Sequence, residues 1–252
     1  DKQMVLADGK VLFQGQEVAF VIAEDRYINA DAIELVEVEY EELPVITDPF
    51  KALEPDAVVL REDLAGQTSG AHGERKHHNH IFLWEAGDKA ATEQVVETAD
   101  VVAEEMVYYH RTHPCPLETC GCVASMDKVT GKLTLWGTFQ APHVVRTVAS
   151  LLSGIEEHNI RVVSPDIGGG FGNKVGVYPG YVCSIVASIV TGKPVKWIED
   201  RMDNLMATAF ARDYWMKGKI AATKDGKITG LHCEVTADHG AFDACADPTK
   251  FP

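Results

Sequence analysis

Two hydrophobic periods run through this chain and divide it into strands, helices and connections. Val18 to Ala23 is a continuous apolar run with β-branched residues behind the turn-like Gln14-Gly15-Gln16, and it predicts a buried strand. Asn29 or Asp31 is placed to cap a short helix over Ala30 to Leu35. Val36, Val38 and Tyr40 then alternate with Glu37, Glu39 and Glu41 as in a half-exposed strand, closed by Leu43-Pro44. Strand, helix and strand in close succession make a small α/β unit. Residues 51 to 80, with Gly66, Gly70 and Gly73 and the cluster His72, His77, His78 and His80, are too polar and irregular for a core element and predict a connection.

Strand patterns return at Val101 to Tyr109, Gly121 to Met126, Lys132 to Phe139 and Ile160 to Ser164, and the turn Asp127 to Gly131 predicts a hairpin between two of them. Pro142 to Leu152 has helical spacing with Gly154 placed to end it; Tyr181 to Val190 reads as a more buried helix closed by Gly192 and Pro194. Val195 to Ile198 is a further strand. Lys217 to Ala222 and Ile228 to Ala237 form an antiparallel hairpin around Lys224-Asp225-Gly226-Lys227.

Composition adds three constraints. The 252 residues are 46% hydrophobic and 24% charged, as in a globular protein rather than a disordered one. The net charge is −15, and residues 1 to 60 alone hold 14 acids against 4 bases, so a phosphate backbone is a poor partner and nucleic acid binding is not expected. Apolar runs such as Val182 to Val190 fall well short of the roughly 20 residues of a spanning helix. The chain opens on Asp1-Lys2-Gln3-Met4 and closes on Phe251-Pro252, and reads as an internal piece of a longer protein. Its six cysteines (115, 120, 122, 183, 233, 245) in a chain of this size suggest reduced thiols rather than a disulfide scaffold.

The strongest local signal for chemistry is Ile160-Arg-Val-Val-Ser-Pro-Asp-Ile-Gly168-Gly-Gly-Phe171-Gly172-Asn-Lys174, a strand running into a glycine-rich loop ahead of a helix. Glycines let backbone N–H groups approach an anion closely. The loop fails as a Walker motif, because Val175 follows Lys174, and as a dinucleotide fingerprint, because Gly172 is at the wrong spacing. Ligand contact and a structural turn both remain open, although Phe171 among four glycines is hard to explain as a turn. His113-Pro-Cys115-Pro-Leu-Glu118-Thr-Cys120-Gly-Cys122 offers soft ligands, but strand alternation sends Cys120 and Cys122 to one face as small core residues. Gln140 stands at a strand end, where ligands are often met. Arg201 and Asp203 suit either an anionic cofactor or a structural turn.

Taken together, Gly137-Thr-Phe-Gln140-Ala-Pro-His, Asp166-Ile-Gly-Gly-Gly-Phe171-Gly-Asn-Lys and Trp197-Ile-Glu-Asp-Arg201 resemble the molybdenum-cofactor subunit of the xanthine dehydrogenase and aldehyde oxidase superfamily. Within it, His113-Pro-Cys-Pro-Leu-Glu-Thr-Cys and Asp238-His-Gly-Ala-Phe-Asp-Ala-Cys-Ala-Asp247 are similar to the large subunits of the aerobic, molybdenum- and copper-containing carbon monoxide dehydrogenases. The resemblance implies an α+β chain: residues 1–54 as the C-terminal part of a hammerhead α/β domain, then 55–252 as the first part of the molybdenum cofactor-binding domain, with 55–80 connecting them. It maps the family's catalytic glutamine, beside the molybdenum, onto Gln140, and its cofactor contacts onto Gln140, Gly169, Gly170, Phe171 and Gly172.

The same resemblance implies a molybdenum-pyranopterin cofactor in its cytosine dinucleotide form, copper bound outside this segment and no metal ligand within it. It also implies FAD and [2Fe-2S] clusters in partner subunits, a dimer of heterotrimers, and a cytoplasmic location, free or peripheral at the inner membrane face. The implied reaction is oxidation of carbon monoxide by water to CO2, with two electrons passed to the partners; this segment alone is expected to be inactive, since the family's copper-binding cysteine loop and catalytic glutamate are not in it. Val175 stands where purine-oxidising members carry glutamate. The alternatives are a molybdenum hydroxylase acting on an aldehyde or N-heterocycle, and a non-catalytic binding module of the same fold.

Overall fold

A computed structural model describes residues 4–62, 69–70, 73–74, 78–81 and 83–242. In chain order the helices are α1 (Arg26–Ile33), α2 (Lys89–Thr98), α3 (Pro142–Ser153), α4 (Pro179–Thr191) and α5 (Arg201–Ala207). The strands are β1 (Ser69–Gly70), β2 (Gly73–Glu74), β3 (Val101–Tyr109), β4 (Gly121–Asp127), β5 (Lys132–Gly137), β6 (Ile160–Val163), β7 (Val195–Ile198), β8 (Tyr214–Ala222) and β9 (Ile228–Ala237). The chain is α+β and divides into two compact units, Asp1–Glu41 with His113–Ala211 and Phe242–Pro252, and Glu42–Thr112 with Arg212–Ala241.

The first unit is built on a four-stranded sheet in the order β6-β5-β4-β7. β4 and β5 form the expected hairpin: the Asp127 carboxylate accepts from the Val129 and Thr130 N–H groups, and Gly131 adopts φ +69° to complete the turn. β6 lies parallel to β5, so the chain must cross over between them, and α3 is that crossover. One face of the hairpin, with Cys122, Ala124, Leu133 and Leu135, is buried against Val145 and Ala149 of α3 and Tyr181 and Ile185 of α4. α3 ends at Gly154 and α4 at Gly192, both in the left-handed conformation that lets a helix stop.

Gly180 marks where α4 and the sheet approach most closely: a Cβ there lies 2.3 Å from Trp197 Cε2. Overpacking against a ring held in β7 costs about 1–3 kcal/mol, more than the roughly 1 kcal/mol that alanine gains over glycine in a helix. Gly180→Ala is expected to destabilise the protein by about 1 kcal/mol, the overpacking cost less the helix-propensity gain. Chemical denaturation checks this, and an unchanged midpoint would show that the helix shifts freely on the sheet.

The second unit carries an antiparallel sheet in the order β3-β8-β9, packed by α2, and the short β1-β2 ladder. Glu104 on β3 pairs with Lys217 and Lys219 on β8 at 2.7 and 3.0 Å. Where β8 begins, Arg212 and Asp213 both have positive φ. Asp213 is held there by Tyr108 and Arg111 and by its backbone bonds to Tyr109 and Asp238.

Several boundaries differ from the sequence reading. Val18–Ala23 and Val36–Glu41 are extended but join no ladder among the described residues, since alternation selects a conformation and a strand also needs a partner. The first helix begins at Arg26 rather than Ala30, because Asp25, not Asn29 or Asp31, caps it: its Oδ1 accepts from the Tyr27 and Ile28 N–H groups. β5 and β6 stop short of Phe139 and Ser164, whose bonding turns to the loops. α2 was not read from the sequence, and α5 lies where only a turn was expected. Gly66, His72, His77 and Cys245 lie outside the described residues, as does the second half of the Asp238–Asp247 motif. Among the described residues, no helix is long and apolar enough to cross a membrane.

Candidate cofactor site

Gln140 and the Gly168–Lys174 loop meet in the first unit, at the end of the sheet where β5 and β6 run out. Phe139 is 2% exposed and packs edge-on to Tyr181 at 5.0 Å, while its carbonyl accepts from the Ser164 hydroxyl at 2.7 Å. The next residue, Gln140, is thereby delivered to the surface at a fixed point. Its Oε1 accepts from the Gly172 and Lys174 N–H groups, both at 3.0 Å, and its own N–H donates to the Lys174 carbonyl at 3.0 Å.

Two donors converging on one atom settle the orientation of the amide: that atom is the oxygen. The Nε2 group must therefore point the other way, and it meets no acceptor among the described residues. Gly170 makes room for this arrangement, since a Cβ there would stand 2.4 Å from Gln140 Cδ. Gly168 is similarly required by Glu118, whose Cβ lies 2.6 Å from the position a side chain would take. Gly169 and Gly172 have φ of +90° and +91°. Phe171 shares this left-handed backbone at φ +52° and is 73% exposed. An apolar ring on a backbone that costs about 1–3 kcal/mol for a non-glycine residue is a feature associated with ligand sites rather than with stability.

Lys174 is fully buried and pairs with Glu118 Oε2 at 2.7 Å, and the same oxygen accepts from Gly168 N–H at 2.7 Å. Partial burial alone would raise the Glu118 pKa, but Lys174 and the Gly168 N–H outweigh it and hold the carboxyl below the ordinary glutamate value. The pairing is thus complete above the ordinary glutamate range and weakens as pH falls through the lowered value.

Behind the loop, Asn173 Nδ2 donates to Thr208 Oγ1 at 2.7 Å and its Oδ1 accepts from Asn204 Nδ2 at 3.2 Å. The Tyr178 hydroxyl donates to the Asn173 carbonyl. Cys115 N–H donates to His113 Nδ1 at 3.0 Å, so the neutral ring carries its proton on Nε2 and donates to the Asn204 carbonyl at 2.8 Å. Arg201 caps the same segment by donating to the Pro116 and Leu117 carbonyls at 2.6 and 2.9 Å. Its role is that of a clamp on the chain, and Asp203 forms a capping box with Asp200. Cys120 and Cys122 are core residues, 0% and 4% exposed. Burial pushes their thiols up to about 12 and about 11, with the Glu199 carboxylate adding to the first, so both are protonated at neutral pH.

The structure thus brings together Gln140, Gly169, Gly170, Phe171 and Gly172. Glu118 and Lys174 were not read as site residues. The signal was available: a lysine between a glycine loop and an apolar helix, and an acid in the otherwise uncharged Pro116–Cys122 segment. His78 and His80 belong to the second unit.

The profile of the molybdopterin cofactor-binding domain matches residues 72–251. The chain belongs to that family. Residues 1–44 also match the aldehyde oxidase and xanthine dehydrogenase a/b hammerhead domain. Its whole length is 69% identical to part of the carbon monoxide dehydrogenase large chain of Afipia carboxidovorans, spanning 31% of that protein. Over 94% of the chain it is 33% identical to the nicotine 6-hydroxylase large subunit of Paenarthrobacter nicotinovorans, covering 28% of it. A solved structure of a Cu,Mo-CO dehydrogenase in its carbon monoxide reduced state superposes with a TM-score of 0.86 at 69% identity, over 92% of this chain and 29% of that one.

Proposed function

We propose that this chain is the segment of a carbon monoxide dehydrogenase large subunit that holds one side of the molybdenum-pyranopterin cofactor. The observation that carries the reading is the Gln140 amide: its oxygen is tied down by two backbone donors, and its Nε2 group is left to donate outward beside a loop in which Gly168, Gly169 and Gly170 make room for Glu118, Phe171 and Gln140 itself, and Gly172 has nothing within 4 Å of its Cβ position. That arrangement suits a cofactor rich in oxygen acceptors. The bound cofactor supplies oxygen transfer and accepts two electrons. Gln140 would donate toward the reacting centre from a preorganised position, the open backbone at Gly172 would leave room beside it, and the Phe171 ring would keep an apolar face on the site and exclude water. The hammerhead part extends to about residue 54, ahead of the cofactor-binding part.

The substrate assignment to CO rests on identity, 69% to a carbon monoxide dehydrogenase against 33% to a nicotine hydroxylase over nearly the same residues. The overall reaction is CO + H2O → CO2 + 2H⁺ + 2e⁻, with copper bound by a part of the protein beyond this segment. The cytosine dinucleotide form of the cofactor, FAD and [2Fe-2S] partner subunits in a dimer of heterotrimers and a cytoplasmic site of action complete the proposal. The full-length subunit purified with its partners is expected to reduce a dye in the presence of CO and to contain both molybdenum and copper. Molybdenum without copper, with turnover of aldehydes or N-heterocycles instead, would move the assignment to the hydroxylase.

A further inference from the structure

Lys174 is the residue through which the whole candidate site is joined. Its N–H and its carbonyl are both bonded to Gln140, one to the side chain and one to the backbone, each at 3.0 Å. Its ammonium group, with no exposed surface, ends on Glu118 at 2.7 Å. Glu118 in turn holds the front of the glycine loop through Gly168, by the 2.7 Å carboxylate bond and by its own N–H donating to the Gly168 carbonyl at 3.3 Å. Gln140, the two ends of the loop and the Pro116–Glu118 segment therefore share one ion pair.

We infer that the Glu118–Lys174 ion pair is a positioning device for the Gln140 amide, fixing where Nε2 donates without itself touching cofactor or substrate. The inference rests on the cofactor reading above and adds two residues to it. A buried ammonium group without its carboxylate is strongly unfavourable, so loss of the Glu118 charge pulls Lys174 away or drives it neutral. Either change moves the backbone at residue 174, and with it one of the two donors that orient the Gln140 carbonyl. A purely structural pair would affect folding and cofactor content alike. A positioning pair affects the reaction while leaving both intact.

The test uses the full-length enzyme with its partners and compares Glu118→Gln, Lys174→Met and Gln140→Ala. Outer groups that orient residues at a metal site are worth roughly 10–100-fold in activity, so Glu118→Gln is expected to lower kcat about tenfold while KM stays within about twofold. Its Mo(V) electron paramagnetic resonance spectrum is expected to shift toward that of Gln140→Ala at unchanged molybdenum content. Hydrogen exchange should quicken at the Gly172 and Lys174 amides. Lys174→Met provides the same readouts should Glu118→Gln fold poorly. A wild-type spectrum, kcat and exchange pattern in Glu118→Gln, with Gln140→Ala altered in all three, would overturn the positioning role alone. An unaltered Gln140→Ala spectrum and rate would instead remove the cofactor reading on which the inference stands.

Discussion

Gln140→Ala is expected to slow the oxygen-transfer half of the reaction by about 10²-fold in single-turnover measurements on the full-length enzyme, at unchanged molybdenum content. The size follows from preorganisation. An amide held by two backbone donors loses little freedom when it donates in turn, so its contribution is concentrated where charge develops and not in ground-state binding. Alanine keeps the backbone bond from residue 140 to the Lys174 carbonyl and leaves Phe139 in its pocket. The loop retains its other anchors, Gly168 on Glu118 and Asn173 on Thr208. The variant therefore removes the outward donor, and with it the acceptor of the Gly172 and Lys174 N–H groups, without collapsing the site. Unchanged single-turnover rates with the metal in place would remove Gln140 from the chemistry, and a loss of molybdenum would make it a cofactor anchor.

What was legible in the sequence was the part written in short-range pattern. β3 and β7 fall where their strand-like runs put them, and α3 and α4 end on Gly154 and Gly192, because each of these depends on residues within a few positions of one another. α2 escaped because Lys-Ala-Ala-Thr-Glu-Gln-Val-Val-Glu-Thr has a weak apolar stripe and buries no residue completely. α5 escaped because its capping box closes with aspartate where glutamate or glutamine is the usual partner. The extended segments at 18–23 and 36–41 have strand composition and no ladder among the described residues, and composition does not name a partner. The site divides in the same way. Gln140 and the glycine loop carry a motif, whereas Glu118 and Lys174 are 56 positions apart and are joined only by the packing of the Pro116–Cys122 segment against the loop.

Gly170→Ala is expected to disable the site nearly as far as Gln140→Ala, by about 10²-fold, for a reason that concerns space and not backbone conformation. Gly170 does not have positive φ, so alanine introduces no left-handed strain, and in the unfolded chain it favours folding by roughly 0.4–1 kcal/mol. The added methyl, however, falls 2.4–2.6 Å from Gln140 Cδ, Oε1 and Cγ. No real contact is that short, so the Gln140 side chain must leave, and the Gly172 and Lys174 N–H groups lose their acceptor. Gly172→Ala is the contrasting case: φ +91° makes it strained, but nothing stands within 4 Å of its Cβ, so Gln140 keeps its place. A double-mutant cycle decides between steric displacement and general damage. If the methyl acts only by evicting the glutamine, Gln140→Ala combined with Gly170→Ala is no slower than Gln140→Ala alone, because alanine at 140 vacates the contested volume. Additive losses would mean that Gly170 is needed close to the cofactor in its own right, with the missing side chain serving the ligand and not Gln140.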